Sequence, residues 1–286
     1  MVAEEVDQGV TEVAQELNDH TARAPIRVIV HGATGRMGRE TLTALIRDPS
    51  LVAVGGVGSK NIGDTLPLPN DAGTIPYDTN LALLLSKVNA DVVVDFTNAT
   101  AAMSAANTTA LNHVHFVTGT SGLSPADIDA LRDLSATHKV GIIVGPSFAL
   151  GAVLLNHLVR IVAPYFDYVD IFEAHHEAKI DAPSGTAAAL ARAASENRSF
   201  SRPDPEKELI LGTRGGEING VTIHSTRMPG RLANHEVTFG MSGQTLSLKH
   251  DTLSRECFMP GVIMAIKAVI SRRDALVGLE NLLNLK

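Results

Sequence analysis

Residues 173 to 186 read Glu-Ala-His-His-Glu-Ala-Lys-Ile-Asp-Ala-Pro-Ser-Gly-Thr. Two adjacent histidines and a lysine follow the apolar run Tyr168 to Phe172, and Pro183 to Thr186 open an alanine-rich stretch with helical character. Ser184 is placed to cap that helix, because its hydroxyl can accept from a backbone N–H two or three residues on. The first N–H groups of a helix have no partner inside it, so those of Gly185 and Thr186 are free for an anion. With the ammonium of Lys179 nearby, the segment reads as a carboxylate receptor. A histidine beside it can move a proton at neutral pH, since imidazole titrates near ~6.5. Zinc is the rival. The helical zinc motif needs two histidines on one face, and His176-Glu177-Ala178-Lys179 has no second one to follow it. On a strand, His175 and His176 point to opposite faces and do not chelate together. The chain has one cysteine, Cys257, so no metal site is expected.

A second group of residues suits a nucleotide. Gly32, Gly35 and Gly38 lie between a β-rich run, Ile26 to Val30, and a helical run, Arg39 to Arg47. Small residues at the first strand-to-helix turn let the backbone approach a pyrophosphate, and the helix N-terminus supplies donors. The spacing is GxxGxxG rather than GxGxxG. About 20 residues further on, an acid would hold the ribose 2′-hydroxyl of NAD. Here the segment is Gly58-Ser59-Lys60. Ser59 and Lys60 suit a 2′-phosphate, so NADPH is expected to serve at least as well as NADH. Gly119-Thr120-Ser121-Gly122 follows another strand, at the carboxyl edge where ligands bind in doubly wound sheets.

These groups need a scaffold, and the 286 residues supply an alternating one. After Ile26 to Val30, strands are expected at Leu51 to Val57, Asp91 to Phe96, His115 to Thr118 and Gly141 to Val144. Helices are expected between them, at Leu81 to Val88, Ala99 to Asn112 and Pro125 to Leu134. Alternation of this kind means βαβ units and a parallel sheet. After Gly151 the rhythm changes. A helix (Val153 to Val162), a strand (Tyr168 to Ala174) and a helix (Gly185 to Ala194) precede three strands in succession: Val221 to Met228, His235 to Phe239 and Gln244 to His250. The expected class is α/β: a Rossmann-type parallel-sheet domain over 25–148, then an α+β domain with an open mixed or antiparallel sheet over 149–259. The helical segments of 260–286 are expected to pack back on the first domain. Residues 1–24 form an acidic extension without Lys or Arg before Arg23, and Val6, Val10, Val13 and Leu17 fall at helical spacing. Hydrophobic residues are 44% of the chain and charged ones 19%, enough to bury a core. A net charge of -7 argues against nucleic acid, and no apolar run reaches the roughly 18 residues of a membrane span. The single cysteine fits a reducing cytoplasm.

The stretch Glu173 to Ala187 resembles the signature of 4-hydroxy-tetrahydrodipicolinate reductase, also called dihydrodipicolinate reductase. The likeness extends from about Ile26 to Leu285. It includes the turn Gly32 to Arg39, the run Val94 to Thr97, the turn Gly119 to Gly122 and the region Arg214 to Val237. It implies reduction of an unsaturated six-membered-ring dicarboxylate by NADPH or NADH, in diaminopimelate and lysine biosynthesis. It further implies His175 as proton donor, Lys179 as substrate ligand and proton-transfer partner, and His176, Gly185 and Thr186 as carboxylate ligands. Arg36, Met37, Gly119, Ser121, Phe148 and Arg255 match positions on the cofactor side. The open sheet needs cover, and the resemblance makes the cover a homotetramer. Ser147 stands where the family usually has asparagine, with less reach and fewer hydrogen bonds. Lys179, with Arg214, is expected to offset the negative net charge around an anionic substrate. Two other readings are weaker. An aspartate- or homoserine-type dehydrogenase leaves the paired histidines and the Pro-Ser-Gly-Thr start unexplained. A non-catalytic nucleotide-binding protein has no need of His175 or Lys179.

Overall fold

A computed structural model describes residues 24–202 and 206–285. The acidic extension, up to Arg23, lies outside the described residues. The first sheet has eight strands, in the order β13-β7-β6-β5-β1-β2-β4-β3. Its members are β1 (Ile26–His31), β2 (Leu51–Val57), β3 (Thr65–Pro67), β4 (Thr74–Asp78), β5 (Val92–Asp95), β6 (His115–Thr118), β7 (Ile142–Val144) and β13 (Ala275–Val277). Every neighbouring pair is parallel except β3 with β4. The chain runs outward from β1 through β2 to β4 and β3, then returns to the other side of β1 with β5. The order therefore reverses between β1 and β5, the point where doubly wound sheets open a ligand crevice.

Strand residues alternate between two cores. Val28, Val30, Val92 and Val94 pack with Leu42 and Leu45 of α1 (Arg36–Arg47) and with Val262, Ile266 and Val269 of α7 (Met259–Val269). On the opposite face, Ile29, Val93 and Phe116 pack with α2 (Leu81–Lys87), α3 (Ala99–Leu111) and α4 (Pro125–His138) through Leu84, Ala106 and Leu131. Each fully buried valine, leucine or isoleucine contributes about 1.5–3 kcal/mol. α7, from the last part of the described chain, thus shares with α1 the layer on one face of the first sheet.

The second sheet has the order β12-β11-β8-β10-β9, with β8 (Tyr168–His175), β9 (Gly216–Ile218), β10 (Val221–Arg227), β11 (Ala233–Met241) and β12 (Gln244–Thr252). It is mixed. β8 lies between β10 and β11, parallel to the first and antiparallel to the second. The parallel pair has a physical reason: the connection from β8 to β10 carries a helix, α6 (Gly185–Ala194), and parallel strands need such a crossover. α5 (Leu150–Val162) and α6 cover one face through Leu155, Val159 and Leu190. On the other face Tyr168 and Phe172 stay 50% and 47% exposed.

Local structure departs from expectation at a few places. β3 and β4 occupy a stretch with Pro67, Pro69, Gly73 and Pro76, whose composition reads as loop. β3 is an edge strand, where a proline such as Pro67 is tolerated. α1 starts at Arg36 rather than Arg39, because Gly35 sits at the N-cap position with extended backbone. Two glycines make that turn possible. Gly32 has φ +85°, a left-handed conformation that side chains rarely adopt. A methyl on Gly38 would lie inside contact distance of the Gly32 carbonyl oxygen and 2.7 Å from Ala33 Cα.

Gly38→Ala tests this packing. In an open helix, alanine would gain up to about 1 kcal/mol. Here the obstacle is backbone, so overpacking of about 1–3 kcal/mol wins. A lower thermal midpoint than the parent is expected; a raised one contradicts the packing described.

Candidate active site

The two-residue period of β8 places Val169, Ile171, Glu173 and His175 on the helix-covered face, all buried. The Glu173 carboxylate is fully buried and receives several donors. His175 Nδ1 lies 2.6 Å from Oε2, and the two terminal nitrogens of Arg227 donate at 2.9 Å and 2.8 Å. The backbone N–H of Ser184 adds a bond at 3.1 Å. Arg227 is the register partner of His175 across the parallel β8–β10 pair. Burial alone would raise the Glu173 pKa; the hydrogen bonds from Arg227, Ser225, His175 and Ser184 instead bring it down to about 2. The carboxylate is acceptor-only when ionised, so His175 keeps its proton on Nδ1 and leaves Nε2 for the cleft. Burial lowers the His175 pKa, and the Glu173 carboxylate opposes that shift.

The same carboxylate reaches the next element. Ser184, at the N-cap of α6, accepts from Ala187 N at 3.1 Å through its hydroxyl. That hydroxyl also lies 3.1 Å from His235 Nε2. The rings of His235 and His175 meet edge to face, 5.3 Å apart. Burial, with nearby positive groups, takes His235 down to about 4, so it stands neutral beside its neighbour. The N–H groups of Gly185 and Thr186 have no acceptor within α6, and nothing lies within 4 Å of where a Gly185 Cβ would be. Lys179 Nζ rests 2.7 Å from Asp181 Oδ1.

His175, Lys179, Ser184, Gly185 and Thr186 all line one cleft of about 830 Å³. Ser121 and Ser147 line it from the side of the first sheet, and Arg160 and Arg192 add positive charge. Arg214 lines a different depression, with Tyr168 and Thr222 on the open face of the second sheet. The cations that line the cleft are therefore Lys179, Arg160 and Arg192, and Arg214 lies elsewhere. His176 stands outside the cleft lining, half-buried just past β8.

The nucleotide candidates gather at the order reversal of the first sheet. No side chain caps α1, so the N–H groups of Arg36, Met37 and Gly38 face the Gly32–Gly35 turn without intrahelical acceptors. A Cβ at Gly35 would lie 3.1 Å from the Gly32 oxygen, in space that a pyrophosphate can use. This turn fits a dinucleotide. Ser59 and Lys60 are exposed beyond β2, in a loop held by a 2.5 Å bond from the Tyr77 hydroxyl to the Lys60 carbonyl. Gly119 packs against Phe96 and Phe148, whose rings meet edge to face at 6.1 Å. Thr120 is buried and donates to Asp95 at 2.6 Å. Ser147 accepts from Ala149 N at 3.3 Å. Arg255 opens a 3-10 turn, Arg255–Phe258, joined to α1 by the Arg47–Glu256 bridge. It too lies outside the cleft lining.

Sequence reasoning missed Glu173, Arg227 and His235. Glu173 was findable, since it lies two residues before His175 and shares its strand face. Arg227 is 54 positions from Glu173, and His235 is 51 from Ser184; only the register of the sheet brings them in.

Residues 26–148 match the family described as dihydrodipicolinate reductase, N-terminus, and residues 151–283 match its C-terminus. The chain belongs to the dihydrodipicolinate reductase family. A 4-hydroxy-tetrahydrodipicolinate reductase of Dehalococcoides mccartyi is 44% identical over 261 residues, 91% of this chain and 99% of that protein. One from Moorella thermoacetica is 42% identical over 265 residues, 91% of this chain and 98% of the relative. Among solved structures, a dipicolinate-bound dihydrodipicolinate reductase from Paenisporosarcina sp. TG-14 superposes with a TM-score of 0.80 at 35% identity. It covers 90% of this chain and 99% of that one.

For this reductase-family chain the Glu173–His175 contact sets a testable property. Glu173→Gln removes the charge that favours protonated His175, while burial and Arg227 continue to disfavour it. The folded-state pKa of the histidine therefore falls further. The alkaline limb of kcat/KM, where a proton donor is lost, should move to lower pH. An unmoved limb contradicts the pairing.

Proposed function

We propose that the chain reduces 4-hydroxy-tetrahydrodipicolinate to tetrahydrodipicolinate in diaminopimelate and lysine biosynthesis, with NADPH or NADH as donor. The observation that carries the assignment is His175, held by the buried Glu173–Arg227 pair in a cleft shared with Lys179 and the open N-terminus of α6. The family match over both parts of the chain supports it. The nicotinamide, when bound, supplies hydride. The 4-hydroxyl leaves the ring as water, and His175 delivers from Nε2 the proton that balances the hydride. An anionic substrate nearby favours the protonated imidazole and offsets its burial. Lys179 leaves Asp181 to pair with a substrate carboxylate and assist proton transfer. Gly185 and Thr186 hold a carboxylate with backbone N–H groups, positioned by the Ser184 cap, and His176 reaches the substrate from the loop after β8.

The cofactor lies along the Gly32–Gly38 turn, with Arg36 and Met37 beside its phosphates and Gly119, Thr120, Ser121, Ser147 and Phe148 at its nicotinamide end. Ser59 and Lys60 meet the ribose, and Arg255 borders the cofactor side. Residues 25–148 act as the nucleotide domain and 149–259 as the substrate and oligomerisation domain. The exposed face around Tyr168 and Phe172 is covered in a homotetramer, and the enzyme works in the cytoplasm.

Substitutions test the roles. His175→Gln should lower turnover about 10²–10⁴-fold, the usual contribution of a general acid, while NADPH still binds. Lys179→Ala should match that loss and raise KM for the dicarboxylate as well. Oxidation of NADPH with freshly generated 4-hydroxy-tetrahydrodipicolinate is the measurement. Unchanged turnover in both variants removes this segment from the chemistry.

Donor preference is a separate test. An exposed contact from Lys60 to a 2′-phosphate is worth roughly 0.5–1 kcal/mol, because solvent and salt screen it. The ratio of kcat/KM should favour NADPH by a few-fold at most and shrink in Lys60→Ala. Preference for NADH beyond about tenfold, some 1.4 kcal/mol, would mean that another residue reads the ribose.

A further inference from the structure

Asp95 ends β5 with its side chain fully buried, in a run whose other members are Val92, Val93 and Val94. A carboxylate out of water needs partners for its lone pairs, and this one has four. His31 Nδ1 approaches Oδ1 at 2.8 Å and Thr97 Oγ1 donates to it at 2.6 Å. Thr118 and Thr120 donate to Oδ2 at 2.8 Å and 2.6 Å. The hydroxyls are engaged a second time. Thr120 Oγ1 accepts from Thr97 N at 3.0 Å, and Thr118 Oγ1 accepts from Thr120 N at 3.1 Å. Burial would raise the pKa of Asp95, but these partners lower it.

The partners come from particular places. His31 ends β1 and precedes Gly32, and Thr118 ends β6 and precedes Gly119. Thr97 and Thr120 lie in the loops that follow β5 and β6. One carboxylate thereby ties three adjacent strand ends to two loops at the order reversal of the sheet. Another valine would fill the position for packing alone; an ionised carboxylate has the lone pairs to accept from four donors at once. We propose that Asp95 is a positioning residue for the cofactor. It fixes the Gly32 turn relative to the Phe96–Thr97 and Gly119–Ser121 loops, and so sets affinity for the reduced nicotinamide nucleotide. The inference rests on the assignment of that crevice to NAD(P)H.

The test compares the full-length parent with Asp95→Asn, Thr118→Val and Thr118→Ser. A carboxamide presents an N–H₂ group to hydroxyls or to the imidazole that now donate, so at least one donor loses its acceptor. Valine keeps the shape of Thr118 and leaves Thr120 N unpaired. NADH and NADPH dissociation constants are read by nicotinamide fluorescence, and KM for the dicarboxylate at saturating cofactor. Asp95→Asn and Thr118→Val should weaken nucleotide binding about tenfold or more, the consequence of one unpaired buried donor. KM for the dicarboxylate should change less than about twofold, a difference within the scatter of surface effects. Thr118→Ser should recover most of the nucleotide affinity. Parent-like nucleotide binding in both Asp95→Asn and Thr118→Val overturns the proposal. A proportional rise in the nucleotide dissociation constants and in the dicarboxylate KM does so too, because it makes Asp95 a residue of general stability. If Asp95→Asn does not fold, the Thr118 pair decides by the same criteria. Failure of the parent itself to bind either nucleotide overturns the cofactor assignment along with this inference.

Discussion

The buried carboxylate of Glu173 is the point on which the catalytic half of the molecule depends. Its partners come from three elements: His175 from its own strand, Arg227 from the neighbouring strand, and Ser184 from the start of α6. The imidazole of His175 and the start of α6 are thus oriented by one charge. Breaking a buried ion pair by removing one partner typically costs several kcal/mol, because the other charge is left unpaired. Such a centre resists gradual adjustment. It also reaches the loop between β8 and α6, where an Arg227 terminal nitrogen donates to the Asp181 carbonyl at 2.6 Å. The loop that carries Lys179 is therefore anchored by the same arginine that locks the histidine's partner.

Charge is distributed unevenly for an enzyme of anions. The chain is acidic overall, with a net charge of -7, so its general field repels a dicarboxylate. The cleft answers with Lys179, Arg160 and Arg192 set against Glu196 and Glu280, and with the backbone N–H groups of Gly185 and Thr186. Two of these cations already pair with acids: Arg160 with Glu196 at 3.1 Å, and Lys179 with Asp181 at 2.7 Å. On the proposed reading of the cleft, an arriving dicarboxylate exchanges one carboxylate for another at these sites. Such an exchange limits the gain in affinity and favours discrimination by shape and by the fixed N–H groups of α6.

Much of this was legible in one dimension, for a physical reason. Strands of the first sheet are buried on both faces, so they read as short unbroken runs such as Val92–Asp95, and the helices between them have ordinary lengths. The segment from His175 to Thr186 was legible because its parts are neighbours in sequence. Arg227 and His235 were illegible because only strand register makes them neighbours of Glu173 and Ser184. β3 and β4 were hidden by the prolines of their stretch, of which only Pro67 lies on the edge strand. Arg214, expected near the cleft, lies in a different depression for the same reason of register. It follows Gly212 in a connection that leads to the far side of the sheet, and proximity in sequence to β10 carried no information about which face it would meet.

Gly32, Gly38 and Gly185 are constrained in two different ways. Gly32 and Gly38 are held by the fold itself, one through its left-handed backbone and one through contact with the first turn. Gly185 is held by nothing in the fold, since the space around its missing Cβ is empty and its helix would accept alanine. Alanine there would keep the backbone N–H but fill part of the cleft, so the response to Gly185→Ala reports the volume open to a ligand and not the stability of the fold.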